Sequence, residues 1–263
     1  MKVKTCLRYP GGKFYGLKKL RPFLNIKHEE YREPFVGGGS VFLDKSKVKI
    51  NWINDIDEDL INFYKVIQDD YSREELYELL KNEVASKERH AEIKNMIPIN
   101  KIEKAFKFFY LNRTSFSGIM VNPRWGYKLG SSVTPERWTN IIDPVAKKLD
   151  GVIITCLDYK EIVKQESKCN DILLYLDPPY FKASKAIYSN EFKEKDHYTL
   201  SEILEKTNFK FVLSYENSEE IKNMYNWAYI HELDWTYFLS EGRRQNGKEV
   251  IITNFKVSIA DFR

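Results

Sequence analysis

The stretch Ile172-Leu173-Leu174-Tyr175-Leu176-Asp177-Pro178-Pro179-Tyr180 is an apolar run that breaks into an acid, two prolines and a tyrosine. A short apolar run closed by prolines reads as a buried strand of a parallel sheet. The prolines fix φ and remove backbone donors, so the chain can continue as neither strand nor helix. A carboxylate, a stiff backbone carbonyl and an aromatic face therefore meet at the end of one strand. That grouping suits the gripping of a planar amino group whose ring stacks on Tyr180. An ordinary strand-ending turn would look the same from this stretch alone, so the rest of the chain decides.

Outward from it, strands and helices alternate. Glu33-Pro34-Phe35-Val36-Gly37-Gly38-Gly39-Ser40 reads as a strand running into a glycine turn, with Ser40 as the N-cap of a helix carrying Val41, Phe42 and Leu43. Residues 48–53 read as a second strand ending at Asn54-Asp55. Residues 57–68 read as a helix with Leu60, Ile61, Tyr64 and Ile67 on one face. The rhythm resumes after a gap with a strand over 152–155 leading to Asp158, a helix over 199–205 and a strand over 209–214. A final pair of strands, 230–237 and 249–255, flanks a polar loop containing Arg243 and Arg244. This alternation predicts an α/β fold with a mostly parallel sheet covered on both faces. Between residues 71 and 149 charged helical stretches dominate, and residues 112–132 are rich in Gly, Arg, Asn and aromatics. We assign 1–68 and 150–263 to one domain and 69–149 to a helical insertion.

At 263 residues the chain can bury a full core. Its net charge of +4 permits a local nucleic-acid patch without demanding one. Cys6, Cys156 and Cys169 form no CxxC pair and the histidines are scattered, so no metal site is expected. No run approaches the ~20 apolar residues that span a bilayer. The expected setting is cytoplasmic, with no membrane partner.

Gly37-Gly38-Gly39 lets backbone approach a ligand closely. Asp55 ends the next strand roughly 20 residues on, where α/β folds place the acid that binds ribose hydroxyls. The pattern is neither Gly-x-Gly-x-x-Gly nor a P-loop, which disfavours a pyrophosphate. An adenosine ligand without one fits better, and S-adenosylmethionine is the candidate. Asp158 is either an acceptor for the adenine amino group or a plain turn acid.

Together these residues resemble the Dam-like DNA adenine-N6 methyltransferases of the D12, alpha-ordered class, over nearly the whole chain. Leu7-Arg8-Tyr9-Pro10-Gly11-Gly12-Lys13 resembles the N-terminal cofactor motif, residues 33–43 the glycine motif, Asn54-Asp55-Ile56-Asp57 the ribose motif and Asp177-Pro178-Pro179-Tyr180 the catalytic motif. The resemblance implies a Rossmann-like methyltransferase sheet whose insertion, 69–149, recognises the target. It implies that Tyr9, Lys13, Asp55, Ile56 and Asp177 contact S-adenosylmethionine, with Pro34, Phe35, Gly37, Gly39 and Ser40 lining the methionine pocket. The partner is then double-stranded DNA, bound by a monomer, and a cognate restriction endonuclease fits as a companion.

An adenine amine is a poor nucleophile because its lone pair is delocalised. Acceptance of its hydrogens by the Asp177 carboxylate and the Pro178 carbonyl would free that pair, with Pro179 stiffening the loop. No catalytic cysteine is expected. The adenine must leave the duplex, and Tyr180 would stack on it. Tyr188 or Phe192 would help to close the pocket; Phe192 and His197 could equally be packing residues. Tyr110-Leu111-Asn112-Arg113-Thr114-Ser115-Phe116-Ser117-Gly118 resembles the segment that precedes a base-reading hairpin in the family. By this resemblance Asn112, Arg113, Phe116 and Ser117 reach DNA, with Phe116 as a wedge. Arg124, Trp125, Tyr127, Lys128, Arg243 and Arg244 supply charge and stacking, on bases or phosphates alike. Val121 stands where GATC-reading members have their guanine-reading arginine, so no recognition sequence is assigned. Two other readings remain: an RNA adenine methyltransferase using the same pocket, and a catalytically silent nucleic-acid binder.

Overall fold

Parallel pairing starts at strand β1 (Glu30–Glu33), which lies between β2 (Ile50–Asn54) and β4 (Ile172–Leu176). β3 (Ile153–Thr155) extends the sheet beyond β2, and β5 (Lys210–Glu216) extends it beyond β4. The computed structural model describes residues 2–9, 11–167, 169–181, 192–238 and 244–257, without the side chains of Tyr15, 234–238 and 244–248. Two further strands, β6 (Tyr229–Phe238) and β7 (Arg244–Thr253), complete the order β3-β2-β1-β4-β5-β7-β6. β7 is antiparallel to both of its neighbours. The parallel strands are apolar because both faces are covered: every residue of β4 is buried.

The expected polar loop before residue 249 is shorter than the sequence suggests. Arg244, Asn246 and Gly247 already pair with Phe238, Thr236 and Trp235 of β6. Over 244–248 the partner is β6 alone, so this part of the ribbon needs no apolar pattern.

Helix α1 (Leu17–Leu24) precedes β1, and α2 (Ser40–Asp44) follows the glycine turn. Ser40 is the first helical residue of α2 and not its cap. Gly39 precedes it at φ 70°, a left-handed entry that glycine adopts without cost from a Cβ. Helix α3 (Glu58–Gln68) is capped by Asp57, which accepts from the N–H groups of Asp59 and Leu60. Leu60, Ile61, Tyr64 and Ile67 are all buried, as their spacing predicts.

Helices α4 (Asp70–Leu80), α5 (Lys87–Asn95), α6 (Lys101–Thr114) and α7 (Trp138–Leu149) fill the interruption between β2 and β3. Their apolar core is continuous with α3 and one face of the sheet. Phe63 stacks on Phe109 at 5.3 Å, and Trp138 meets Phe109 and Tyr110 edge-on at 5.6 and 5.5 Å. The opposite face of β4 and β5 packs against α8 (Tyr159–Lys164), α9 (Glu194–Glu205) and α10 (Glu219–Met224). α9 starts before the expected Thr199 because Asp196 turns back to accept the Lys193 backbone N–H. Among the described residues no helix is long and apolar enough to cross a membrane.

Candidate active site

The carboxyl ends of four parallel strands carry the residues that matter. Pro34 follows β1, Asp55 follows β2, Asp158 lies just beyond β3 and Asp177 follows β4. β1 and β4 are central neighbours, and the strand order reverses between them. Open α/β sheets bind ligands in the crevice at that point.

Buried Asn54 ties three of these ends together. Its Nδ2 donates to the carbonyls of Pro34 (3.1 Å) and Leu157 (2.9 Å). Its Oδ1 accepts from Thr155 Oγ1 and the Leu157 N–H. Beside it, the Asp55 carboxylate accepts the N–H groups of Gly37 (2.9 Å) and Asp57 (3.1 Å). Burial raises the Asp55 pKa to about 6, against the lowering effect of those backbone bonds. Ile56, next in the chain, is exposed and apolar. Asp158 is exposed and caps α8 through the Lys160 N–H, so it is a helix cap whatever else it does.

The glycine turn is gripped from two sides. Tyr64 of α3 donates its hydroxyl to the Gly37 carbonyl. The Tyr9 ring lies so close that a Cβ on Gly37 would stand 2.8 Å from Tyr9 Cε1, and one on Gly38 would stand 2.7 Å from Tyr9 Cβ. Gly37 also has φ +46°. The Tyr9 ring by itself therefore requires glycine at both positions. Tyr64, which helical periodicity marks only as core, is a support of the site.

Lys13 lies in a short 3-10 turn before α1 and is buried. Its Nζ donates to Asp177 Oδ1 at 2.6 Å and to the Tyr180 hydroxyl at 2.8 Å, and it sits 3.8 Å from Glu249 Oε1. Tyr180 in turn donates to Glu249. Burial lowers the Lys13 pKa, but the Asp177 and Glu249 carboxylates outweigh it and leave it above the ordinary lysine value. Burial raises Asp177 to about 6, with Lys13 opposing the rise. Glu33, at the end of β1, is pushed up to about 8 by burial, against the Tyr31 hydroxyl that donates to it at 2.6 Å. Glu33 and Glu249 are acidic side chains of this edge that the sequence alone does not mark. Glu33 stands inside a quoted motif, whereas Glu249 lies far along the chain with no local signal.

Phe35 packs against Tyr159 (5.2 Å) and Phe192 (5.8 Å), so Phe192 belongs to an aromatic cluster beside the crevice. His197 is buried against Phe192 and Phe181, bonded to the Tyr215 hydroxyl. Burial lowers its pKa to about 4, which keeps it neutral. Pro178 is buried, while Pro179, Tyr180 and Ser40 are half-buried. Pro10, Tyr188 and Arg243 lie outside the described residues, as does the side chain of Arg244.

The segment after α6 folds back on itself. The Phe116 N–H donates to the Arg124 carbonyl, the Gly126 N–H donates to the Thr114 carbonyl, and Ser115 bridges Trp125. Phe116 at this bend is 49% exposed, and Ser117 and Gly118 have φ of 54° and 72°. Arg124 and Lys128 are exposed, and Trp125 stands 5.8 Å from Tyr127. Buried His90 of α5 braces the bend through the Thr114 hydroxyl at 2.8 Å.

Two residues expected at DNA are elsewhere. Asn112 is fully buried, and its amide holds both the N–H and the carbonyl of Arg8, each at 2.8 Å. Arg113 is 7% exposed and donates to the Cys6 carbonyl. Both face inward from α6 because the N-terminal segment crosses that face and its backbone needs partners.

A sheet of this order, with acids and a glycine turn at its carboxyl edge, has a Rossmann-like arrangement. The sequence profile of the D12 class N6 adenine-specific DNA methyltransferases matches residues 9–239, and the chain belongs to that family. It is 28% identical to the type II methyltransferase M1.LlaDCHI of Lactococcus lactis subsp. cremoris, over 96% of each chain. It is 31% identical to M.MjaIII of Methanocaldococcus jannaschii, with 81% of this chain and 84% of that one covered. A DNA adenine methylase of Vibrio cholerae is 26% identical, with 88% and 87% covered. The protein is a DNA adenine-N6 methyltransferase.

Proposed function

We propose that the methyl donor is S-adenosylmethionine and that Asp177 and the Pro178 carbonyl receive the amine of an adenine drawn out of double-stranded DNA. The observation that carries this is the position of Asp177 at the sheet's reversal point, next to the glycine turn and bonded to Lys13. The donor set suits the cofactor. Asp177 and Glu249 set two carboxylates around the single cation of Lys13, an environment that favours a ligand carrying positive charge. Asp55 is available to ribose hydroxyls and the exposed Ile56 to a flat base. Pro34, Phe35, Gly37, Gly39 and Ser40 would border the methionine part, beneath the Tyr9 ring.

When bound, S-adenosylmethionine supplies a methyl group already activated on sulfonium sulfur. The chain's own work is then positioning and polarisation. Ionised Asp177 accepts one amine hydrogen and the Pro178 carbonyl the other, which frees the nitrogen lone pair. Tyr180, anchored by its hydroxyl, offers a face for the base to stack on, worth ~1–3 kcal/mol. Residues 69–149 act in target recognition, with Phe116 and Ser117 entering the duplex. Arg124, Trp125, Tyr127 and Lys128 lie along the groove or backbone, and Arg243 and Arg244 touch phosphates. Asn112 and Arg113 support that surface from within.

The test is single-molecule methylation-sensitive sequencing of plasmid DNA from cells expressing wild type or Asp177→Ala. One adenine-containing motif modified by wild type alone is the expected result. Unmodified plasmid in both, from a protein that binds S-adenosylmethionine, would turn the reading toward an RNA acceptor.

A further inference from the structure

Glu249 is 1% exposed on β7, opposite Glu216 of β5 and Leu233 of β6. It lies 236 positions beyond Lys13 in the sequence (249 less 13) yet shares that residue's ammonium with Asp177. One Glu249 oxygen, Oε1, both accepts the Tyr180 hydroxyl and faces Lys13. The ammonium is drawn to Asp177 at 2.6 Å and stays within ion-pair reach of Glu249 at 3.8 Å. Two carboxylates therefore stand ready for one cation, which also donates to the Tyr180 hydroxyl at 2.8 Å.

The role of Glu249 rests on Asp177 being the acceptor of the adenine amine. Lys13 already holds Oδ1 of that carboxylate, and its grip draws off the negative charge the amine needs. A buried ammonium released without another partner would carry a heavy desolvation cost. We propose that Glu249 is a positioning residue for methyl transfer, receiving Lys13 as the target amine engages Asp177 while holding the Tyr180 ring through its hydroxyl. The Lys13 amine moves between two carboxylates, and no bond is made or broken at Glu249.

The two duties separate by substitution. Glu249→Gln keeps an acceptor for Tyr180 but loses the charge that receives Lys13. Single-turnover transfer from tritiated S-adenosylmethionine to unmethylated plasmid DNA should slow on the order of 10- to 100-fold. The half-saturating concentration of DNA should stay at its wild-type value. Lys13→Met combined with Glu249→Gln should be no slower than Lys13→Met alone, since both remove one exchange. Glu249→Asp, which keeps the charge, should recover part of the loss. Should the amide variant not fold, Glu249→Asp alone serves: its deficit must be present and must vanish in the Lys13→Met background. A wild-type rate in Glu249→Gln overturns the proposal, as does a double variant whose loss is the product of the two single losses. Asp177→Ala is measured alongside. Turnover by that variant sinks both the Asp177 assignment and the proposal, whereas a dead Asp177→Ala beside an unimpaired Glu249→Gln sinks the proposal alone.

Discussion

The carboxyl edge of the sheet and the bend after α6 are held in place by different means. At the edge, Asp55 and Asp177 follow their own strands directly, so the strand ends fix where each acid stands even though Lys13 reaches Asp177 from a distant segment. Asp177 closes β4, and Asp55 closes β2 with both oxygens on nearby backbone N–H groups. The bend is held from a distance. Its anchor, Asn112, bonds Arg8, 104 positions away, and Arg8 donates onward to the Ser115 carbonyl. Gly118 is pressed against the same strap, since a Cβ there would fall 2.2 Å from the Arg8 carbonyl oxygen. A site built on strand ends is stiff by construction, whereas a bend strapped by a remote segment draws part of its stability from that strap.

Substitutions can break that contrast. The largest effect is expected at the edge: Asp177→Ala should abolish methyl transfer in a radiolabel assay while the melting curve remains cooperative. Gly37→Ala comes next. Its left-handed φ and the nearby Tyr9 ring should cost about 1–3 kcal/mol of stability and weaken S-adenosylmethionine binding by calorimetry. An unaltered Kd would mean that the turn is not where the cofactor binds.

Asn112→Ala should cost about 1–3 kcal/mol in urea unfolding, because the N–H and carbonyl of half-buried Arg8 lose their partners. It should leave the salt dependence of DNA binding unchanged. Arg124→Ala should do the reverse, lowering the slope of log K against log salt by about 1 with no loss of stability. If Asn112→Ala moved the salt slope and not the stability, its inward role would be refuted.

The smallest effect is a pH shift. In its proposed role Asp177 is the stronger acceptor when ionised, and its pKa is raised to about 6, so kcat/KM should climb as pH rises through about 6. Lys13 opposes that rise in pKa, so Lys13→Met should move the climb to higher pH. A shift to lower pH would contradict the ion pair.

Much of the edge was legible in the sequence because its determinants are local. Apolar runs, prolines and a glycine triplet imposed strand ends and turns within a few residues, and Leu60, Ile61, Tyr64 and Ile67 declared their helical face by spacing alone. The start of α9, the left-handed entry at Gly39 and the early start of β7 were missed. Each depends on a cap or a partner strand that composition does not reveal.

The class of fold, the order of the motifs and the acid at the end of β4 could be read from the chain alone. Backbone geometry and hydrophobic burial act over short windows, which a linear reading captures. That Asn112 and Arg113 face inward and that Glu249 reaches Lys13 emerged only once the chain was packed. Those outcomes depend on which distant segments meet. A buried polar group must find its partner wherever packing brings one, not where the chain is adjacent.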